Sequence, residues 1–367
     1  MSFFTASIFT TLETVQREAM IFNISLAAGK NLVLKYDADP VTQTFSRRIF
    51  FDAAVVDFAT VYVGSECMSC TIREDIIETF TTFFSPTKRK DTPWTDAFVF
   101  LPLGHENHHI AAALATQQRS NSLWEKFAVA TVATIINGET FRADIQSTTS
   151  LAERELHLST QDERTVAEFL CGEVESSDLI VATGKADALL QHLQNPDADV
   201  LTDLHQIDVP HLTSARYDHF VTRTNTDPYN ANVNQDVTDD VWTIELYNER
   251  PLNPEKLYHR IEEFAQYAVH IKGVFGVPNR PDEICEWHGC GGQLWIAPLD
   301  KWDEGDDDDM VFTRLVATGI DEENKLKLMD LFEDVLTTEE EMADGGLAWL
   351  GREDILEPWL GNRHDNY

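Results

Sequence analysis

Two segments of the chain carry residue types that do chemistry at usable spacings. GSECMSCTIREDI, residues 64–76, places Cys67 and Cys70 two residues apart, just before Arg73, Glu74 and Asp75. Thiolates so spaced point at one zinc ion, which takes tetrahedral sulfur and nitrogen ligands. Two cysteines do not fill that shell, so further ligands must come from elsewhere. His105, His108 and His109, in HENHH at 105–109, follow the apolar run DAFVFLPL (96–103) and offer them. A redox couple and a packed pair of small apolar residues are the other readings of the cysteine spacing. A thioredoxin-type pair belongs to a different strand–helix context.

HENHH also reads as a plain helix start with solvated histidines. Its place after a buried strand, however, is where open α/β sheets hold ligands. A third segment, CEWHGC, groups Cys285, His288 and Cys290. It reads either as a soft-metal cluster or as a hairpin with Cys285 and Trp287 on one face and HGCGG turning the chain. The strand–turn–strand pattern favours the hairpin. Cys171 in EFLCGEV reads as packing. Spacing identifies no Ser-His-Asp set and no catalytic carboxylate pair.

The elements that must position these residues change character along the chain. FFTASIFT (3–10), NLVLKYD (31–37), FATVYVG (58–64), DAFVFLPL (96–103), KFAVATVATII (126–136) and SDLIVAT (177–183) read as strands. Helix-like segments separate them, including 13–28 and 73–84. Unbroken apolar strands alternating with helices predict a mainly parallel sheet covered on both faces. Residues 215–240 lack periodicity and read as a linker. Beyond it, strands near 241–247, 270–278, 283–289, 293–299 and 310–319, with helices at 254–268 and 322–336, predict a smaller α+β domain. The expected divisions are 1–214, the linker 215–240, a domain at 241–350 and a tail at 351–367. DEGDDDDM (303–310) reads as a solvated acidic loop, since its spacing is not that of a calcium loop.

The chain has 367 residues, 43% of them hydrophobic, enough for two domains with substantial cores. Sixty-three acidic residues against 28 basic ones leave a formal charge of −35. Such a surface repels phosphate backbones and disfavours direct, non-specific nucleic-acid binding. It reads as a solvated acidic surface or as a docking surface for a basic protein. No apolar run reaches the roughly 18 residues of a membrane span. The start lacks a basic n-region, and five scattered cysteines make no disulfide framework. A cytoplasmic protein with no membrane partner is expected.

In order and spacing these segments resemble the CobW family, metal-handling proteins with a P-loop GTPase-type domain and a CobW C-terminal domain. The family's Gly-Cys-x-Cys-Cys and Leu-Arg-x-Asp run is matched by Glu66 to Asp75. RPLNPEKLY (250–258), IKGVFGVPNRPDEICEW (271–287), GGQLWI (291–296) and VATGID (316–321) match the second domain. The nucleotide elements depart from the pattern. A phosphate loop needs Gly-x4-Gly-Lys-Ser/Thr. FTTLETVQREAM holds no glycine and no lysine, and AAGKN at 27–31 follows the helix as a C-cap glycine and turn. The family's Glu-x-x-Gly becomes Leu101 to Gly104, and its guanine-reading Asn-Lys-x-Asp becomes Gly184 to Asp187, leaving Lys185 and Asp187 as the nucleotide contacts.

With CMSCTIRED (67–75) and FLPLGHENHH (100–109), this looks like an actinobacterial branch with a degenerate phosphate loop. Its members recruit a ribosome hibernation factor and are linked to zinc limitation. The resemblance implies a zinc-responsive protein that binds a protein partner with little or no GTP hydrolysis. Residue type and spacing give Cys67, Cys70 and His105 as the expected metal ligands. The alternative the resemblance carries is a GTP-dependent metallochaperone for zinc or cobalt.

Overall fold

The computed structural model describes residues 4–27, 29–64, 67–84, 94–120, 124–204, 207–214, 217–233, 240–302, 311–343 and 346–363. Glu66 and the acidic run 303–310 lie outside the described residues. The chain divides into two compact units. The first comprises Met1–Arg142, Thr149–Leu190 and Gln194–Arg223; the second comprises Ala143–Thr148, Gln191–Leu193 and Thr224–Tyr367.

The first unit is an eight-stranded sheet in the order β4-β3-β2-β5-β1-β6-β7-β8. Its strands are β1 (Phe4–Thr11), β2 (Asn31–Asp39), β3 (Thr44–Phe51), β4 (Ala54–Tyr62), β5 (Asp96–Phe100), β6 (Phe127–Asn137), β7 (Leu179–Thr183) and β8 (Asp199–Leu201). The pairs from β2 to β8 are parallel, while β3 and β4 extend one edge as an antiparallel hairpin. Side chains alternate across a strand, so the apolar runs feed both faces. Ile8, Leu34 and Val99 pack with Ile72, Ile76 and Phe80 of α2 (Met68–Phe84) and with Ile110 and Leu114 of α3 (His108–Ser120). Their neighbours Phe9, Val33 and Phe98 pack on the other face with Met20, Ile21 and Ile24 of α1 (Thr14–Leu26). Two covered faces explain why these strands are apolar without interruption.

The second unit is a five-stranded antiparallel sheet in the order β12-β11-β10-β13-β9. It comprises β9 (Val241–Asn248), β10 (His270–Val277), β11 (Arg280–Cys290), β12 (Gln293–Lys301) and β13 (Thr313–Ile320). Phe275, Trp287 and Leu315 pack against Leu257, Ile261 and Phe264 of helix Pro254–Tyr267 and against Leu328 and Phe332 of helix Glu322–Val335.

Three local expectations change. The segment 215–240 holds a helix, His219–Thr226, and a 3-10 turn, Pro228–Asn230. Asp218 and Asp227, which read as loop formers, act as caps, accepting the N–H groups of Phe220 and Tyr229. Helix α1 ends at Leu26 with Ala27 as its C-cap, so Gly29 lies beyond the cap, at φ 141°. Helix α2 starts at Met68 rather than at Arg73.

Candidate metal centre

That early start of α2 makes Cys67 its N-cap residue. The Cys70 N–H donates to Cys67 Sγ at 3.4 Å, and the Thr71 N–H donates to the Cys67 carbonyl at 3.0 Å. Both thiols are exposed. Partial burial pushes the Cys67 thiol up. The hydrogen bond from Cys70, the N–H groups of Cys70 and Ser69 and the charge of Arg73 outweigh it, so Cys67 lies below the usual thiol range. Cys70 is raised, first by its hydrogen bond to Cys67 and then by burial. The shared hydrogen bond and the positive end of the helix thus favour ionisation of Cys67 over Cys70.

A buried polar cluster fixes the direction of α2. Asp75 accepts the Tyr36 hydroxyl at 2.8 Å and Arg47 Nη1 at 2.7 Å, and the same guanidinium nitrogen donates to Thr79 at 2.7 Å. Asp75 thereby ties the first turns of α2 to β2 and β3.

The second wall follows β5. The chain turns through Leu101 to Asn107, with the Leu101 N–H donating to the Phe9 carbonyl and the Gly104 N–H to the Thr11 carbonyl. Gly104 sits at φ 74°, where a Cβ would lie 2.5 Å from the Leu156 carbonyl oxygen, so only glycine fits. His105 is 1% exposed. Its Nδ1 lies 2.8 Å from the Glu106 carbonyl oxygen, which assigns the ring proton there. Its Nε2 is buried and has no hydrogen-bond partner. Burial holds the imidazole down at about 4, so it is neutral with a free lone pair, the form that ligates a metal.

Asn107 anchors the far end of this loop. Its N–H donates to Glu173, on helix α4 (Val166–Ser176), at 3.3 Å, and its Nδ2 donates to Ser177 at 3.2 Å. Burial, and then the charge of Glu106, raise the Glu173 carboxyl well above its ordinary value. Glu106 is the opposite case. The hydrogen bond from His109 and the charge of Arg164 hold it at about 2 against the effect of burial. Burial and His109 lower His108 to about 4.

A cavity of about 720 Å³ lies between these walls, lined by Cys67, Cys70 and Arg73 on one side and by His105, Glu106 and His109 on the other. The two sequence segments thus meet in one place, within the first unit. Among the described residues, Cys67, Cys70 and His105 do not bring their ligand atoms within 4.8 Å of one another; the trio that does is Glu106, His108 and His109. Glu106 was missed in the sequence although it stands three residues before His109. Arg164 and Glu173 gave no local signal at all.

The other candidates lie apart. Only Leu12 and Glu13 separate β1 from α1, and the Glu13 N–H already donates to Thr11 Oγ1 at 2.9 Å. Asp187 caps the short helix Ala188–Leu193, accepting the Leu189 N–H at 2.8 Å and Arg142 Nε at 2.9 Å. Lys185 is exposed, and neither residue lines the cavity. Cys285 is fully buried in the second unit's core beside Trp287, on the opposite face of β11 from His288. The turn after Cys290 is Gly291–Gly292, at φ 56° and 81°, the pattern of a tight two-residue hairpin.

Residues 241–336 match the cobalamin synthesis protein cobW C-terminal domain. The zinc chaperone Rv0106 of Mycobacterium tuberculosis is 26% identical over 253 residues, covering 64% of this chain and 58% of that one. The zinc-regulated GTPase metalloprotein activator 1 of Dictyostelium discoideum is 23% identical over 270 residues, covering 66% and 54%. The matched region is thus little more than half the length of these relatives. The Zn(II)-bound YjiA GTPase of E. coli aligns at TM-score 0.35 and 12% identity, over 91% of this chain and 99% of that one, and no conclusion rests on that likeness. The antiparallel sheet β9–β13 with helices Pro254–Tyr267 and Glu322–Val335 is thus the part of the chain that matches the cobW C-terminal domain.

Proposed function

We propose that this protein is a cytoplasmic zinc-handling CobW-type protein whose metal occupancy controls its binding to a basic protein partner. Zinc is held exchangeably by Cys67, Cys70 and His105. In the branch that the sequence resembles, the partner is a ribosome hibernation factor. The observation that carries the metal reading is the buried, unpartnered Nε2 of His105, a residue that lines one cavity with the cysteine pair at the start of α2. Binding one ion through all three would require the walls to approach, and an incomplete protein shell leaves positions for a client's ligand. The names of the two relatives, a zinc chaperone and a zinc-regulated GTPase, agree with a zinc role.

Little or no GTP hydrolysis is proposed because two residues between β1 and α1, without glycine or lysine, leave no loop to cradle phosphates. Asp187, as a cap and ion-pair partner, is already committed. The competing reading, a GTP-dependent metallochaperone, draws on the relative named as a GTPase. Labelled GTP binding with and without zinc separates the two. Weak or absent binding and negligible turnover are expected, and magnesium-dependent hydrolysis at ordinary P-loop rates overturns the proposal. For the metal, Co(II) titration of the reduced protein should give thiolate-to-cobalt charge-transfer absorption that zinc abolishes. That absorption should be absent in Cys67→Ser/Cys70→Ser and altered in His105→Ala. Its absence from the wild type would reduce the cysteines to packing.

A further inference from the structure

We infer that Glu106, His108 and His109 form a second metal site, free of sulfur, that takes a borderline divalent cation of the zinc, cobalt or nickel class. Their ligand atoms all lie within 4.8 Å of one another, and no other group of three such residues does so among the described residues. His109 Nε2 stands 3.2 Å from Glu106 Oε2. Zinc–ligand bonds of 2.0–2.1 Å imply a tetrahedral edge of about 3.3 Å, so this pair already has the span of two adjacent zinc ligands.

Arg164 positions the carboxylate for this role. Its Nη1 holds Glu106 Oε1 at 2.7 Å and leaves Oε2 turned to the histidines. The guanidinium is also gripped by both oxygens of Asp162, at 2.8 Å each, so two carboxylates balance its charge and it does not repel the ion. An outer partner that fixes one oxygen of a ligating carboxylate is a recurrent feature of metal sites. Two imidazoles and one carboxylate select zinc, cobalt or nickel over magnesium or calcium, which prefer all-oxygen shells. Three protein ligands leave a position open to solvent or to an incoming ligand.

The location gives the site a role. Glu106 and His109 line the same cavity as Cys67 and Cys70, and the His109 side chain is 61% exposed. A cation entering from solvent meets the nitrogen and oxygen ligands at this exposed point and then faces the thiolates. The site itself does not depend on the thiolate reading; only this order of transfer does.

The test is Co(II) titration of the full-length Cys67→Ser/Cys70→Ser protein, read by ligand-field absorption and checked by calorimetry with zinc. One equivalent is expected, with ligand-field bands and no sulfur charge transfer. Adding His108→Ala and His109→Ala should abolish it, and Glu106→Gln should weaken it at least tenfold while keeping the hydrogen bond to Arg164. No uptake by the double serine variant overturns the inference, as does unchanged uptake after the histidines are removed. His109→Ala alone, at an exposed position, tests the site if the larger variants fail to fold: equal uptake by it and its parent also overturns the inference. A wild type that gives this equivalent without sulfur charge transfer would sink only the thiolate site.

Discussion

The chain contains two short runs of cysteine and histidine that look alike on paper and end in opposite circumstances. CEWHGC lies along β11, where the period of two puts Cys285 and Trp287 into the core and turns His288 to the other face. Residues an odd number apart on a strand point to opposite faces, so Cys285 and His288 cannot meet at one ion. CMSC and HENHH instead sit at a helix start and in the loop after a parallel strand, where nothing forces alternation. There the side chains converge on one cavity. Residue type proposes a ligand, but backbone period decides whether ligands can meet.

The sharpest way to break this comparison is to exchange serine for cysteine in both runs. Cys67→Ser/Cys70→Ser should lower affinity at the thiolate site by more than about 100-fold, beyond the 10–100-fold cost of losing an outer-shell partner. Its melting temperature should barely move, because both thiols are exposed. Metal titration and calorimetric melting measure the two quantities. Equal metal loss in a Cys285→Ser variant would erase the distinction between the runs.

Gly104→Ala should come next. A left-handed φ and a Cβ 2.5 Å from a carbonyl oxygen together should cost at least about 2 kcal/mol. Urea unfolding measures the loss. Because this residue leads into His105, Co(II) affinity should fall as well, whereas stability loss with unchanged affinity would uncouple the loop from the site. Cys285→Ser should cost about 1–3 kcal/mol by placing a hydroxyl in an apolar core, with no change in metal uptake.

The effect with a pH signature is that of Glu173→Gln. The folded-state pKa of Glu173 is raised above its unfolded value, so the stability of its neutral form is fully present below about pH 4.3 and is lost as pH rises toward the folded value. Glutamine stays neutral and keeps an acceptor for the Asn107 N–H. The variant should match the wild type near pH 4 and gain on it as pH rises, by at most about 1.4 kcal/mol per pH unit. A pH-independent difference in denaturant melts would contradict the raised pKa of Glu173.

Much of the sheet could be read in advance, because β5, β6 and β7 are buried on both faces and carry unbroken apolar runs. The β3 strand was missed. Thr44–Phe51 lies near the sheet edge, carries Arg47 and Arg48 in its middle, and is only partly buried. Its turn, Asp52–Ala53, has positive φ at both residues without the usual glycine or asparagine. The start of α2 was misread for a related reason: a thiol serving as N-cap lies outside the usual capping residues. Of the site, Cys67, Cys70 and the histidines of 105–109 could be named from type and spacing. Their shared cavity could not be, since it depends on which strands are neighbours.

By itself the sequence determined the alternation of buried strands and helices, the acidic surface, the short glycine-free link from β1 to α1, and the residues able to bind a soft or borderline metal. These follow from side-chain chemistry and local period, which act over a few residues. Only the tertiary structure decided which of those residues meet. Arg164 reaches Glu106 across 58 positions and Glu173 reaches Asn107 across 66, because the parallel sheet brings distant strand ends together. The free nitrogen of His105 and the raised pKa of Glu173 arise from burial, and burial belongs to the packed fold rather than to any stretch of chain.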